Sequence, residues 1–171
     1  YRGEAAPAWA TSMALDRRRL FQVIAILAAG FAYATIVVGG TVRSMGAGLA
    51  CPDWPLCHGA VVPNLSDPHI AVEYAHRLFA ALTSLFLFLS MLFALLWFRS
   101  ELRLVTLSTM GVAVLVTQVA IGALTITSRL DPLVVTAHLA LGTATFGFTL
   151  MLAIVSLWPA AAATVDRIPP G

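Results

Sequence analysis

Four apolar runs, Leu20 to Val42, Val72 to Phe98, Leu104 to Thr127 and Leu133 to Trp158, leave this chain few ways to fold. Each meets the roughly 20 residues that a helix needs to cross a hydrocarbon layer. A segment in lipid must satisfy its own backbone hydrogen bonds, so runs of this length and spacing are helices. Composition agrees, with 60% of residues hydrophobic and 11% charged, where a soluble domain has about a quarter charged. The expectation is an all-α membrane protein. It has one transmembrane domain, residues 20–158, with an N-terminal tail 1–19 and a C-terminal tail 159–171. The first run is longer than the roughly 7–15 apolar residues of a signal peptide, so it is expected to stay in the membrane.

The links Arg99–Arg103 and Ser128–Pro132 are short, which makes sequential helices antiparallel neighbours. An up-down-up-down four-helix bundle follows. The one long connection, 44–71, is punctuated by Gly46, Gly48, Pro52, Pro55, Gly59, Pro63 and Pro68. A structureless stretch of that length in a compact protein usually has a function. Every basic residue is Arg. With the N-terminus inside, seven (Arg2, Arg17, Arg18, Arg19, Arg99, Arg103, Arg167) are cytoplasmic and three (Arg43, Arg77, Arg129) are outside. The positive-inside bias therefore puts both termini in the cytoplasm and loop 44–71 on the outer side. Trp97 and Trp158 then sit at the cytoplasmic interface, where aromatics collect. A formal charge of +2 gives no argument for nucleic acid. The surrounding partner is membrane lipid, in a bacterial or archaeal cell membrane.

Ionisable groups inside such spans are costly and are kept for function. Glu73-Tyr74-Ala75-His76-Arg77 opens the second run, and His138 stands at a matching place in the fourth. The second and fourth helices run in the same direction and are diagonal in an up-down bundle. Their imidazoles thus lie at similar depth, with small residues (Ala80 and Thr83, Gly142 and Thr145) one and two turns below. Two such histidines suit the axial ligation of one haem iron. The alternative is that each hydrogen-bonds a carbonyl or hydroxyl in a packed helix interface.

Glu73 shares a face with His76 and reads as a proton acceptor, as a group that reaches the haem edge, or as an interfacial carboxylate paired with Arg77 or Arg43. Arg43, Arg77 and Arg129 oppose the positive-inside bias, and a guanidinium suits haem propionates, a loop tether or simple snorkelling. Cys51 and Cys57 lie in the outer loop, where a disulfide is expected, either as a staple or as a redox group. Zinc at Cys51, Cys57, His58 and His69 fits no common spacing. Gln118, in the middle of the third run, is expected to hydrogen-bond across the bundle. A faint repeat pairs Gly40 to Leu78 with Thr125 to Ala140, two hairpins that each give an outer Arg and a His.

Together, Gly39-Gly40-Thr41-x-Arg43, the Gly48 to Cys57 segment Gly-x-x-Cys-Pro-Asp-Trp-Pro-x-Cys, and Glu73-Tyr74-x-His76-Arg77 resemble the haem A synthase family. Gln118 to Gly122, Thr125-Ile126-Thr127 and His138-Leu139 extend the likeness, which covers about residues 20 to 158. The resemblance implies an oxidoreductase that oxidises the C8 methyl of haem O to the formyl of haem A, through successive hydroxylations, for cytochrome oxidase assembly. It implies that Glu73, His76 and His138 belong to the haem site, and that Cys51 and Cys57 form a disulfide with a possible redox part. Common members carry two four-helix units, one holding substrate haem and the other haem b, whereas a single unit is present here. One site then does both jobs, a homo-oligomer supplies the second, or haem binding persists without synthesis. The cysteine pair and Glu73 match the substrate half. The rival expectations are a non-enzymatic b-type cytochrome that carries electrons or anchors a respiratory complex, and a haem carrier for a terminal oxidase.

Overall fold

The structure, a computed structural model, describes residues 8–158. It contains four helices: α1 (Ala8–Ser44), α2 (Pro68–Trp97), α3 (Leu102–Thr127) and α4 (Pro132–Leu157). All four are long and apolar enough to cross a membrane, so the chain is an integral membrane protein built as a four-helix bundle. α1 packs on α2 and α4, and α3 on the same two. The diagonal pair α2 and α4 therefore face each other across the bundle axis.

The helix starts differ from the sequence expectation for physical reasons. α1 begins at Ala8 rather than Leu20, so residues 8–19 are helical instead of tail. No Gly or Pro interrupts the sequence from Ala8 to Ala29, and its Ala, Met, Leu and Arg content favours helix. Residues 1–7 and the tail 159–171 lie outside the described residues. α2 begins at Pro68 rather than Val72. Asp67 caps it, accepting a hydrogen bond from the His69 amide (2.8 Å), and Pro68 supplies the preset backbone of the first position. α4 uses the same device: Asp131 accepts from the Leu133 and Val134 amides (2.9 and 3.2 Å) and Pro132 follows. An Asp-Pro pair thus opens each helix that carries a histidine.

The packed core lies in the half of the bundle away from the long loop. Phe21, Ala25 and Ala28 of α1, Leu87 and Ala94 of α2, Leu104 and Leu115 of α3, and Leu152 and Ala153 of α4 are buried together. Between them, Ser90, Ser108, Thr149 and Ser156 are buried, and each hydroxyl donates to a carbonyl three or four residues earlier in its own helix. Small hydroxylated residues satisfied in this way let helices approach closely without an orphaned polar group. Fully buried positions end at Leu115 in α3 and begin at Thr145 in α4, so the loop half is packed more loosely.

Arg18 closes the end opposite the loop. Its guanidinium donates to Glu101 Oε1 (2.6 Å), the Ser156 carbonyl (3.2 Å) and the Trp158 carbonyl (3.1 Å), and lies over Phe98. One side chain therefore ties α1 to the α2–α3 link and to the end of α4. Arg17 makes a single cation–π contact, with Trp97. We expect Arg18→Ala to lower stability in detergent by about 2 kcal/mol, as charge-assisted hydrogen bonds are lost. Arg17→Ala should cost about 0.5 kcal/mol. Thermal unfolding of the two purified variants checks the order.

Candidate functional site

The loop between α1 and α2 is built around its disulfide. Gly46, at φ +68°, ends α1, and the Ala47 amide reaches back to the Val42 carbonyl (2.9 Å). Cys51 and Cys57 are bonded to each other and buried. Inside that ring, Asp53 accepts from the His58 amide (2.6 Å) and the Gly59 amide (2.8 Å), while His58 Nε2 meets the Ala50 carbonyl (2.9 Å). His69 interacts with Asp67 at the start of α2. Neither loop histidine joins a metal cluster, and none of three or more His, Cys, Asp or Glu exists among the described residues.

Arg77 holds this loop to α2. Its Nε donates to Glu73 Oε1 (3.0 Å), Nη1 to the carbonyls of Asp53 (2.8 Å) and Leu56 (2.7 Å), and Nη2 to the carbonyl of Cys51 (2.9 Å). Four of the five N–H donors of a guanidinium are thereby used. Of the roles that the sequence left open for Arg77, loop tethering is the one these bonds perform. Glu73 is buried, and its ion pair with Arg77 links the disulfide loop to the turn of α2 that precedes His76. Arg43 and Arg129 are exposed at the same end. Arg129 lines a cavity of about 250 Å³ with Leu49, Pro52 and Ile126. Arg129 and Leu130 both have positive φ, and the Leu130 side chain fills the space above Gly48, where a Cβ would lie 3.2 Å from it.

His76 and His138 meet across the axis. Their ring centroids are 6.5 Å apart and their planes are inclined by 76°. Two imidazoles on one metal, each with nitrogen at about 2.0–2.1 Å, have ring centres roughly 6 Å apart, so the spacing suits a shared iron. Each ring is seated on a glycine of the preceding helix. A Cβ on Gly39 of α1 would lie 2.9 Å from His76 Cε1, and one on Gly122 of α3 would lie 2.8 Å from His138 Cε1. Four residues before each glycine stands the polar neighbour of that ring. His76 Nδ1 meets the Thr35 carbonyl (3.0 Å), and His138 Nε2 lies 3.5 Å from Gln118 Nε2.

The first contact fixes a tautomer. A carbonyl accepts only a proton, so neutral His76 carries its hydrogen on Nδ1 and its lone pair on Nε2. The second contact is weak, and although the Gln118 backbone also lies beside His138, the buried His138 Nδ1 and Gln118 Oε1 make no well-aligned hydrogen bond among the described residues. Half-buried imidazoles with one uncommitted nitrogen are the donor set that haem iron takes, so the residues present fit that group.

The small residues below the histidines do not all leave free room. Gly142 makes space for the Gln118 amide, which would be 2.9 Å from a Cβ there. Thr83 and Thr145 are buried and donate to their own helix, and Thr83 also touches Thr35 (3.3 Å). They form a floor two turns beneath the two rings.

A membrane four-helix bundle with an intramembrane histidine pair under a disulfide loop defines the class. The family model described as "Cytochrome oxidase assembly protein" (COX15-CtaA) matches residues 22–168. The chain belongs to that family. A "Heme A synthase" of Geobacillus thermodenitrificans is 27% identical over 147 residues, 86% of this chain and 45% of that protein. A "Heme A synthase" of Exiguobacterium sibiricum is 27% identical over 121 residues, 70% of this chain and 41% of that protein. A "Protoheme IX farnesyltransferase" of Halobacterium salinarum is 33% identical over 155 residues, 89% of this chain and 32% of that protein. The chain thus spans less than half the length of these relatives.

Two measurements follow. Gly39→Ala forces His76 to move and should cost about 1–3 kcal/mol of stability. Gly40→Ala meets nothing within 4 Å and should be neutral or stabilising by less than about 1 kcal/mol. Thermal unfolding of the pair separates the two. In the loop, the Gly59 amide and then the His58 amide hold the Asp53 carboxyl below the usual carboxylate range. Because the folded-state value is the lower one, Asp53 supports the loop fully above the ordinary Asp range. That support fades as pH falls through the folded-state value. The NMR amide shifts of His58 and Gly59 should therefore titrate together, at a pH below that of an unperturbed Asp.

Proposed function

We propose that this chain binds haem between His76 and His138 and oxidises the C8 methyl of haem O to the formyl group of haem A. The observation that carries the reading is the histidine pair, 6.5 Å apart on diagonal helices and above a packed floor. Membership of the oxidase assembly family and similarity to heme A synthases support it. The name of the farnesyltransferase relative also concerns a haem.

In this reading the arginine distribution puts the histidines and loop 44–71 towards the outer side of the membrane. His76, its Nδ1 proton held by the Thr35 carbonyl, would offer its Nε2 lone pair to the haem, and His138 would supply the second imidazole. Arg43 and Arg129, exposed at the loop end, pair with the propionates. Arg77 keeps the loop closed over the site. Bound haem would supply the redox centre, the conversion of methyl to formyl taking up one water and releasing four protons and four electrons to an external electron acceptor, and the protein supplies placement and electrostatics. Glu73, one turn from His76, holds or accepts a proton at the reacting edge. The Cys51–Cys57 disulfide stands where electrons leaving the site reach the outer loop.

The ion pair between Glu73 and Arg77 also favours a second reading, a b-type electron-transfer or anchoring subunit. A carboxylate engaged in tethering a loop has a task that a plain carrier shares.

The test is to express the chain with a source of haem O, extract the non-covalent haem and identify it by mass and pyridine haemochrome spectrum. We expect the hydroxylated intermediate and haem A, with loss of both in Glu73→Ala at unchanged haem content. Haem b alone, unaltered when haem O is supplied, would replace the synthase with the electron-transfer subunit.

A further inference from the structure

The two histidines are not held alike, and the difference has a use. His76 is fixed twice: Gly39 seats the ring, and the Thr35 carbonyl holds its Nδ1 proton at 3.0 Å. His138 is seated on Gly122 in the same way and also lies beside the Gln118 backbone, but among the described residues its buried Nδ1 makes no well-aligned hydrogen bond. Its Nε2 faces the amide nitrogen of Gln118, a donor, at 3.5 Å. That distance is longer than a good hydrogen bond but within reach of a small side-chain rotation. Gln118 is itself incompletely satisfied, with Oε1 buried and unpartnered, and its amide rests in the gap provided by Gly142. A Cβ at position 142 would collide with that amide, so the glycine reserves the place of Gln118.

We propose that His76 would be the firmly held haem ligand and His138 the exchangeable one, with Gln118 as the positioning residue that would receive the His138 ring. This rests on the haem-site reading above. An imidazole that lets go of iron exposes the Nε2 lone pair in an apolar interior, which is costly unless a donor meets it. The Gln118 amide is that donor, and it already lies beside the nitrogen concerned. His76 has no equivalent. The residue at the corresponding position, Thr35, directs its hydroxyl to Phe31 and Thr83 and offers the ring only a carbonyl. That carbonyl fixes His76 with Nε2 as its lone-pair nitrogen, while the amide competes for the lone pair of His138. The haem face opened to small molecules is then the His138 face.

The experiment uses the purified, haem-loaded full chain and carbon monoxide as the probe of an open ferrous position. Haem content and the optical spin-state spectrum are the further readouts. We expect His138→Ala to retain most of its haem in a high-spin form that binds carbon monoxide at once, and His76→Ala to lose most of it. Gln118→Leu, close in size but without a donor, should keep wild-type haem content and a low-spin spectrum while slowing carbon monoxide binding about fivefold, the scale of one lost hydrogen bond. If Gln118→Leu does not retain haem, the unbranched Gln118→Met, also without an N–H donor, is read in the same way.

Equal haem loss in the two histidine variants, or carbon monoxide kinetics unchanged in the position 118 variant, would overturn the proposal. Wild-type protein that takes up no haem would instead overturn the haem-site reading beneath it.

Discussion

The close approach of each imidazole to a glycine on the preceding helix is the constraint on which the loop half of the bundle depends. Gly39 and Gly122 let α1 and α3 come near enough for the Cε1 edges of His76 and His138 to rest against them. A methyl group at either place would move a ring that has little room elsewhere. Because each glycine sits on the helix before its histidine, the two hairpins α1–α2 and α3–α4 deliver their rings in the same manner. The bundle then brings the rings together on the diagonal. The repeat is shared in its geometry and unequal in its chemistry: a backbone carbonyl takes the proton of one ring, and a side-chain amide lies beside the other.

Packing and polarity divide the molecule along its length. The half that holds Phe21, Leu87, Leu104 and Leu152 has a packed apolar core and is clamped by Arg18. The loop half trades packing for polar groups that are individually anchored. Arg77 is central there, because one guanidinium gathers three carbonyls of the disulfide loop and the buried Glu73. The loop is thus joined to α2 within one turn of His76, so a change in the loop is felt at the ring through a single helix turn. Such an arrangement suits a site in which the cover and the ligand must keep register.

Much of this was legible in the sequence. Apolar length alone gave the four spans, and short links gave their antiparallel order. The histidines could be paired because α2 and α4 run in the same direction from the same end. The cysteine pair could be expected to bond from its place in the long loop, which the arginine distribution assigns to an oxidising side. The start of α1 was not legible, since residues 8–19 are too polar to count as a span and still form good helix. The Asp-Pro openings of α2 and α4 were present as a signal and, read as caps, place both starts correctly. The donors of Arg77 could not be assigned, because its acceptors are backbone carbonyls 21 to 26 residues away, and carbonyls have no sequence signature. Gln118 was visible as an intramembrane polar residue, but its position in the space of Gly142 and beside His138 depends on the interlock of α3 and α4. The room beneath His138, which small residues suggested for a porphyrin face, belongs in part to that amide.

The central claim is that His76 and His138 share one haem iron, and electron paramagnetic resonance of the purified ferric protein at low temperature tests it most directly. Two imidazoles inclined by 76° on one iron give a low-spin signal of strong anisotropy, the pattern of nearly perpendicular ligand planes. The account requires that signal in the wild-type protein and its disappearance in His138→Ala. A wild-type spectrum that is high-spin and axial, or a low-spin signal that persists without His138, would contradict it.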